Sequence, residues 1–136
     1  MLIHPMSYFE HLEQKVRENE NFREVLYTTE RSQLVMMTIP AGCDIGEEVH
    51  QNVEQVFFFQ SGQGVAVVEG QETPVGPGDV SIISAGTKHN FKNTGSEPLK
   101  LATVYVPPNH IDKTVHRTKE DAMADEKDEA FGESVQ

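Results

Sequence analysis

The strongest constraint on the fold is a change of hydrophobic period at Phe22. From there, short segments rich in β-branched and aromatic residues follow one another, and Gly, Pro, Asn or Asp separates them about every 8–12 residues. These segments are REVLYTT, SQLVMMTIP, QVFFFQSG, GVAVVEG, ETPVG, DVSIISAG, HNFKNTG and LKLATVYVPP. This spacing is typical of an antiparallel sandwich or closed barrel. We therefore predict an all-β domain over residues 22–117.

The residues before this domain have a helical pattern. Ser7 and Glu10 have the spacing of a capping box, and Phe9 and Val16 recur at helical intervals. We predict a helical extension over residues 1–21, with one short amphipathic helix packed on the domain.

The residues after the domain form an acidic tail. Residues 118–136 carry seven acids and two bases. Thr118 is a candidate N-cap, with Glu120 and Asp121 in the first turn, where acids favour a helix. We expect a short solvated helix that frays into disorder.

Composition narrows the class of protein. The 136 residues suffice for one domain, and no apolar run reaches the ~20 residues of a membrane span. The single cysteine, Cys43, excludes an intrachain disulfide, so we expect a reducing cytoplasm. The net charge of −11 argues against nucleic acid or an anionic membrane as partner.

Two strands are apolar at successive positions. VFFF and VAVV lack the alternation of a strand with one wet face. Burial of both faces implies a partner surface, and symmetric dimers are the commonest soluble oligomers. We expect a homodimer.

Candidate site residues cluster on the predicted hairpin around His50. One residue separates it from Glu48, so on a strand both side chains point to one face. After a short turn, Gln55, Phe57 and Phe59 share the alternate register of the next strand. If the hairpin folds inward, Glu48, His50 and Gln55 converge inside the barrel.

A later strand brings a second histidine, because His89 shares a face with Phe91 in HNFKN. A carboxylate such as Glu48 inside an apolar barrel must be paired, protonated or bound to a cation. No Lys or Arg occupies a neighbouring inward position, so a divalent metal is the simplest partner. Two imidazoles, one carboxylate and one amide suit Zn, Fe, Mn, Ni or Co. We predict Glu48, His50, Gln55 and His89 as the metal ligands.

These residues also carry a family resemblance. The stretch resembles the first cupin motif, G-x5-H-x-H-x4-E-x6-G, and a second stretch resembles G-x5-P-x-G-x2-H-x3-N. The matching positions are Gly42, Glu48, His50, Gln55 and Gly62, then Gly78, Ser84, Gly86, His89 and Asn93. The resemblance implies a small single-domain cupin, that is, a double-stranded β-helix or jelly-roll barrel, here with a short N-terminal helix and an acidic helical C-terminal tail.

Three positions depart from these motifs. Glu48 replaces a histidine, Gln55 a glutamate and Ser84 a proline. Glu48 and Gln55 can still donate oxygen to a metal, which indicates a changed ligand set. The mixture of one Gln, one Glu and two His is similar to the zinc site of cupin-type phosphomannose isomerases, with the residues at other positions. Gln55 has the alternative role of orienting the His50 ring through a hydrogen bond.

The remaining candidates surround this predicted site. Phe57, Phe59 and Phe91 are core residues that would also form a water-poor pocket around a metal or ligand. Glu48, Tyr105 and His110 are candidate acid–base groups. The alternatives are that Tyr105 packs at the barrel edge and that His110 belongs to an ordered surface extension.

Three functions are compatible with such a site. One is a metal-dependent isomerase or epimerase acting on a small oxygenated molecule such as a sugar. The scarcity of interior Lys or Arg argues against a phosphosugar. The second is a non-haem Fe or Mn dioxygenase. The third is a non-catalytic module that binds or senses a small molecule.

Overall fold

A computed structural model describes residues 6–136 of the chain. Its helices and strands, in chain order, are α1 (Leu12–Glu18), β1 (Arg23–Thr28), β2 (Gln33–Ile39), β3 (Glu54–Ser61), β4 (Gly64–Val68), β5 (Gln71–Val75), β6 (Val80–Ile83), β7 (His89–Asn93), β8 (Leu99–Val106), β9 (Val115–His116), α2 (Lys119–Ala124) and α3 (Glu126–Ser134).

The strands form two antiparallel sheets. The larger sheet has the order β6-β3-β8-β2-β1-β9, and the smaller has the order β5-β4-β7. Every one of the eight predicted strand segments is a strand. The prediction of an all-β fold with terminal helices is confirmed, and β9 is the only strand of the described chain that the segment pattern did not contain.

The core follows from the alternation of residues along the strands. Inward positions of both sheets supply one cluster of buried side chains, with Phe57, Phe91 and Leu101 among its largest fully buried members. Val16 of α1 closes a second, smaller cluster on the outside of β2 and β8. Helix α1 thus packs on the domain through its apolar face.

The start of α1 differs from the prediction. The helix begins at Leu12 with His11 as N-cap and without a side-chain capping bond. The predicted capping box at Ser7 and Glu10 is wrong, and Phe9 is almost fully exposed. The predicted extension also includes residues 1–5, which lie outside the described part of the chain.

The acidic tail is folded against the barrel. Thr118 caps α2 through the backbone N–H of Asp121, as predicted. The tail then continues as α3 instead of fraying, and Ala122 and Val135 pack against the main core. Asp128 of α3 is buried. The expectation of a solvated tail is therefore wrong, because the tail covers one mouth of the barrel.

The outer face of the larger sheet retains apolar side chains. Phe58, Val80 and Ile82 are 47%, 56% and 63% exposed. Phe58 pairs with Val80 across β3 and β6, so these side chains form one patch, which we call the outer apolar patch. The outward face of the VFFF segment in β3 is thus uncovered in a single chain.

Across residues 6–136, helices are too short and too polar to cross a membrane.

Candidate metal centre

The centre is built on a backbone pairing between the two motif regions. The N–H of Glu48 donates to the carbonyl of His89, and the N–H of His89 donates to the carbonyl of Glu48, both at 2.9 Å. Directly opposed residues of an antiparallel pair place their side chains on the same face. Gly86 has a left-handed backbone and donates its N–H to the His50 carbonyl at 2.7 Å. This bond holds His50 beside the Glu48–His89 pair.

This pairing brings three side chains together. One potential ligand atom from each of Glu48, His50 and His89 lies within 4.8 Å of the other two. Oε2 of Glu48 lies 2.6 Å from Nε2 of His50. That contact lacks the geometry of a hydrogen bond, and His50 Nε2 is a buried nitrogen without a hydrogen-bond partner. Both atoms are therefore aimed at shared space more than at each other.

The environment of each group favours metal binding. Nδ1 of His89 lies 2.9 Å from the Thr87 carbonyl, to which it donates as N–H, so the lone pair of Nε2 is available. Burial opposes ionisation of Glu48, but the contact with His50 and the charge of Arg23 outweigh burial and lower the pKa of the Glu48 carboxyl.

Gln55 presents an unused oxygen. The residue is 3% exposed, and its Nε2 donates to Oγ1 of Thr103 at 3.0 Å. Its Oε1 is buried without a partner. The amide group therefore bonds Thr103 and not the His50 ring, and its oxygen is the free acceptor that a cation would satisfy.

The three phenylalanines lie in the core beside these ligands. The Phe91 ring packs at a tilted angle against Phe57 and Phe59, with ring centroids 4.2 and 5.5 Å away. Phe57 and Phe91 each lie 6.2 Å from the His89 ring. They form an apolar wall behind His89, and none of the three lines the open cavity.

Tyr105 and His110 are part of a buried hydrogen-bonded chain. Nδ1 of His110 donates to Oδ2 of Asp128 at 2.7 Å, and Nε2 faces the Tyr105 hydroxyl at 3.2 Å. Burial raises the pKa of Tyr105 far above its usual range. Burial also lowers the pKa of His110, against the opposing effect of Asp128. Tyr105 is therefore protonated and His110 neutral at neutral pH. His110 is only 7% exposed, so it is not part of a surface extension.

Arg23 is a cavity residue that was not among the sequence-based candidates. It lies on β1, two residues before core Val25 and on the same face, and it is 7% exposed. NH1 of Arg23 lies 3.2 Å from Nδ1 of His116 on β9. The alternation of buried residues in β1 was the signal that places Arg23 inside.

A cavity of about 520 Å³ opens above the centre. Its lining includes Glu48, His50, Arg23 and His110, together with residues of α2 and α3. Such a volume suits a small molecule. The side chain of Gln136 also lines the cavity, where its Oε1 accepts the N–H of Gln51 at 2.8 Å and its Nε2 lies 3.4 Å from His50 Nδ1.

Comparison with known proteins identifies the family. The cupin domain family matches residues 35–105, which is more than half of the chain. The chain belongs to the cupin family. The match contains the two strands and the loop that carry His50, Gln55 and His89.

Similar proteins include one solved structure of high overlap. The crystal structure of BH2720 from Bacillus halodurans is 36% identical, with a TM-score of 0.86 over 88% of this cupin and 96% of that chain. The uncharacterized protein YrkC of Bacillus subtilis (strain 168) is 36% identical over 90% of this cupin and 69% of its own length. The oxalate-binding protein of Thermotoga maritima is 29% identical over 52% of this cupin and 58% of its own length.

The residues present in this cupin are compatible with a divalent metal. Two imidazoles and a carboxylate converge, and two buried polar atoms, His50 Nε2 and Gln55 Oε1, lack any other partner. A second cluster, His116 with Asp125 and Asp128, also has ligand spacing. Its carboxylates already accept hydrogen bonds from histidine rings, so that cluster is accounted for without an ion.

Proposed function

We propose that this cupin binds one divalent metal ion through Glu48, His50 and His89, with the Gln55 amide oxygen as fourth ligand. The observation that carries the proposal is the orphaned Nε2 of His50, which lies 2.6 Å from the Glu48 carboxylate without hydrogen-bond geometry. Buried polar atoms without partners are rare in native proteins. A cation between these side chains removes the anomaly.

The proposed activity is a metal-dependent isomerisation or epimerisation of a small oxygenated molecule in the cavity. A bound divalent ion polarises a carbonyl oxygen and makes the neighbouring C–H more acidic. The carboxylate of Glu48 lines the cavity and is the candidate base. Tyr105, His110 and Asp128 hold one proton on the tyrosine oxygen and another on Nδ1 of His110, which keeps a proton donor beside the centre.

One observation favours a second candidate, a non-haem dioxygenase. Two histidines and one carboxylate with open positions are the ligand set of Fe(II) oxygenases. The two reactions differ in what they consume. An isomerase moves solvent deuterium into its product without oxygen, whereas a dioxygenase takes up oxygen with substrates such as catechols. If a ligand binds but neither deuterium incorporation nor oxygen uptake occurs, the protein would be a non-catalytic module that binds or senses a small molecule.

Elemental analysis tests the metal proposal. We expect about one metal ion per chain in untagged protein, and none in the double variant His50→Ala, His89→Ala. His11→Ala is the matched control, since His11 is exposed and forms the N-cap of α1. His89→Ala should lose more metal than Gln55→Ala, because an imidazole binds these ions more tightly than an amide oxygen. Equal metal content in parent and double variant would disprove the site.

We also propose a homodimer that buries the outer apolar patch. Phe58, Val80 and Ile82 are adjacent on the larger sheet. Contiguous exposed apolar surface of this kind marks interaction sites in soluble proteins. The partner of that surface in this proposal is the same face of a second chain.

A further inference from the structure

The Arg23 guanidinium is a buried charge without a carboxylate partner. Within the described residues 6–136, no Asp or Glu oxygen lies within ion-pair distance of it. Its Nε is buried and lacks any hydrogen-bond partner. Buried arginines are otherwise paired, because an uncompensated charge in a low-dielectric interior is costly.

The contacts that Arg23 makes, which include one with the Tyr105 hydroxyl, orient it without forming an ion pair. NH1 donates to Nδ1 of His116, whose Nε2 in turn donates to Oδ2 of Asp125 at 2.9 Å. The guanidinium also lies 5.3 Å from the centre of the Phe22 ring. The His116 imidazole and the Phe22 ring fix the direction of the guanidinium and leave it without a carboxylate at ion-pair distance.

Neighbouring carboxylates are already engaged. The Glu48 carboxylate faces His50 at the candidate metal centre, and the Asp128 carboxylate accepts from His110 and from the N–H of Ile111. The charge of Arg23 acts on both carboxylates from beyond ion-pair distance. Arg23 nevertheless lines the same cavity as Glu48 and His50. An anion in that cavity would meet the guanidinium on one side and the metal centre on the other.

We infer that Arg23 is an anion-binding subsite and that the ligand of this cupin is a small carboxylic acid. The inference rests on the proposed metal-dependent function, because it names the ligand class for that cavity. A planar guanidinium fork matches a carboxylate in two parallel hydrogen bonds. The acidic residues at the rim, Glu129 and Glu133, are exposed and screened by solvent, whereas Arg23 is not.

The test compares pyruvate with pyruvamide, its uncharged analogue of similar shape, by calorimetric titration of metal-loaded protein. We expect the parent to prefer pyruvate. In Arg23→Gln, pyruvate affinity should fall about tenfold or more, with little change for pyruvamide and unchanged metal content. Arg23→Lys should be intermediate, because it keeps the charge and loses the fork.

Lys119→Gln is the matched control. Lys119 lines the same cavity, but its charge is paired with Asp44 at 2.6 Å, so its removal should leave the preference for pyruvate intact. Circular dichroism checks that each variant is folded. If both Arg23 variants unfold, the titrations of the parent protein test the inference. A parent that does not prefer pyruvate over pyruvamide overturns it.

The outcomes separate the two proposals. If the protein holds stoichiometric metal but the parent and Arg23→Gln prefer pyruvate equally, the anion subsite is overturned and the metal centre stands. Reduced stability of Arg23→Gln with an unchanged preference for pyruvate assigns the side chain a structural role and also overturns the subsite. Protein without metal that binds pyruvate through Arg23 overturns the metal centre and leaves the subsite.

Discussion

Replacing Gln33 with Leu should destabilise the protein by about 3–4 kcal/mol. Gln33 is almost fully buried, and its amide group holds the loop before β9. Its Oε1 accepts the N–H groups of Asn109 and His110 at 3.2 and 3.0 Å, and its Nε2 donates to the His110 carbonyl at 2.7 Å. Leucine fills a similar volume, so the loss comes from polar groups left without partners.

The magnitude follows from counting those groups. Three buried backbone groups lose their partners, and each costs about 1–3 kcal/mol. Burial of the leucine side chain returns about 2 kcal/mol. At the middle of that range, about 2 kcal/mol for each group, the three groups cost about 6 kcal/mol and the net loss is about 4 kcal/mol. That is a large part of the roughly 5–15 kcal/mol that stabilises a domain.

Urea denaturation followed by circular dichroism measures this loss. Gln71→Leu is the matched control, because Gln71 lies exposed on β5 and should change the free energy of unfolding by less than about 0.5 kcal/mol. A loss below about 1 kcal/mol for Gln33→Leu would refute the reasoning, since it would mean that the loop finds other partners.

Three further predictions concern other parts of the molecule. Because burial lowers the pKa of His110, the unfolded chain takes up a proton below about pH 6.5 that the folded protein does not, so stability should fall as pH falls below that value; His110→Gln should flatten this part of the pH–stability curve. Ile82→Lys should convert the proposed dimer into a monomer in light scattering, because it places a charge in the outer apolar patch. Gly62→Ala should cost about 3 kcal/mol or more in urea denaturation, because its Cβ would collide with the Pro98 carbonyl in addition to adopting a left-handed backbone.

Two of these predictions have a matched control variant. Val115→Lys also adds a charge at a half-exposed position, but away from the patch, and should leave the dimer intact. Gly70 has a left-handed backbone with open space around its position, so Gly70→Ala should cost only about 1–2 kcal/mol. The pH prediction would be contradicted if the pH–stability curve had the same slope in His110→Gln as in the parent. The dimer prediction would be contradicted by a monomeric parent. Equal losses of unfolding free energy in Gly62→Ala and Gly70→Ala would contradict the third prediction.

Local patterns account for the parts of the fold that the sequence predicted. Strand alternation and turn residues act over a few positions, and they identified eight strands correctly. The convergence of Glu48, His50 and His89 also follows from short spacings together with the cupin motifs. The residues at these positions meet because the backbone pairs Glu48 directly with His89.

The features that the sequence did not predict depend on buried polar contacts between residues that are far apart in the chain. Arg23 meets His116 across 93 positions, and a two-residue strand carries no periodic signal. The sequence predicts a solvated tail because α3 is mostly polar. Asp128 is nevertheless buried, and its carboxylate accepts hydrogen bonds from His110 and from the N–H of Ile111. Such polar contacts depend on the tertiary structure and not on local composition.

The short strand β9 gives the order in which this site is completed. The proposed metal ligands come from the middle of the chain, whereas the guanidinium receives its direction from a residue near the far end. Contacts between such distant positions are slow to form. The two halves of the site therefore depend on different parts of the chain, and a substitution in β9 should change which ligand is preferred before it changes the metal content.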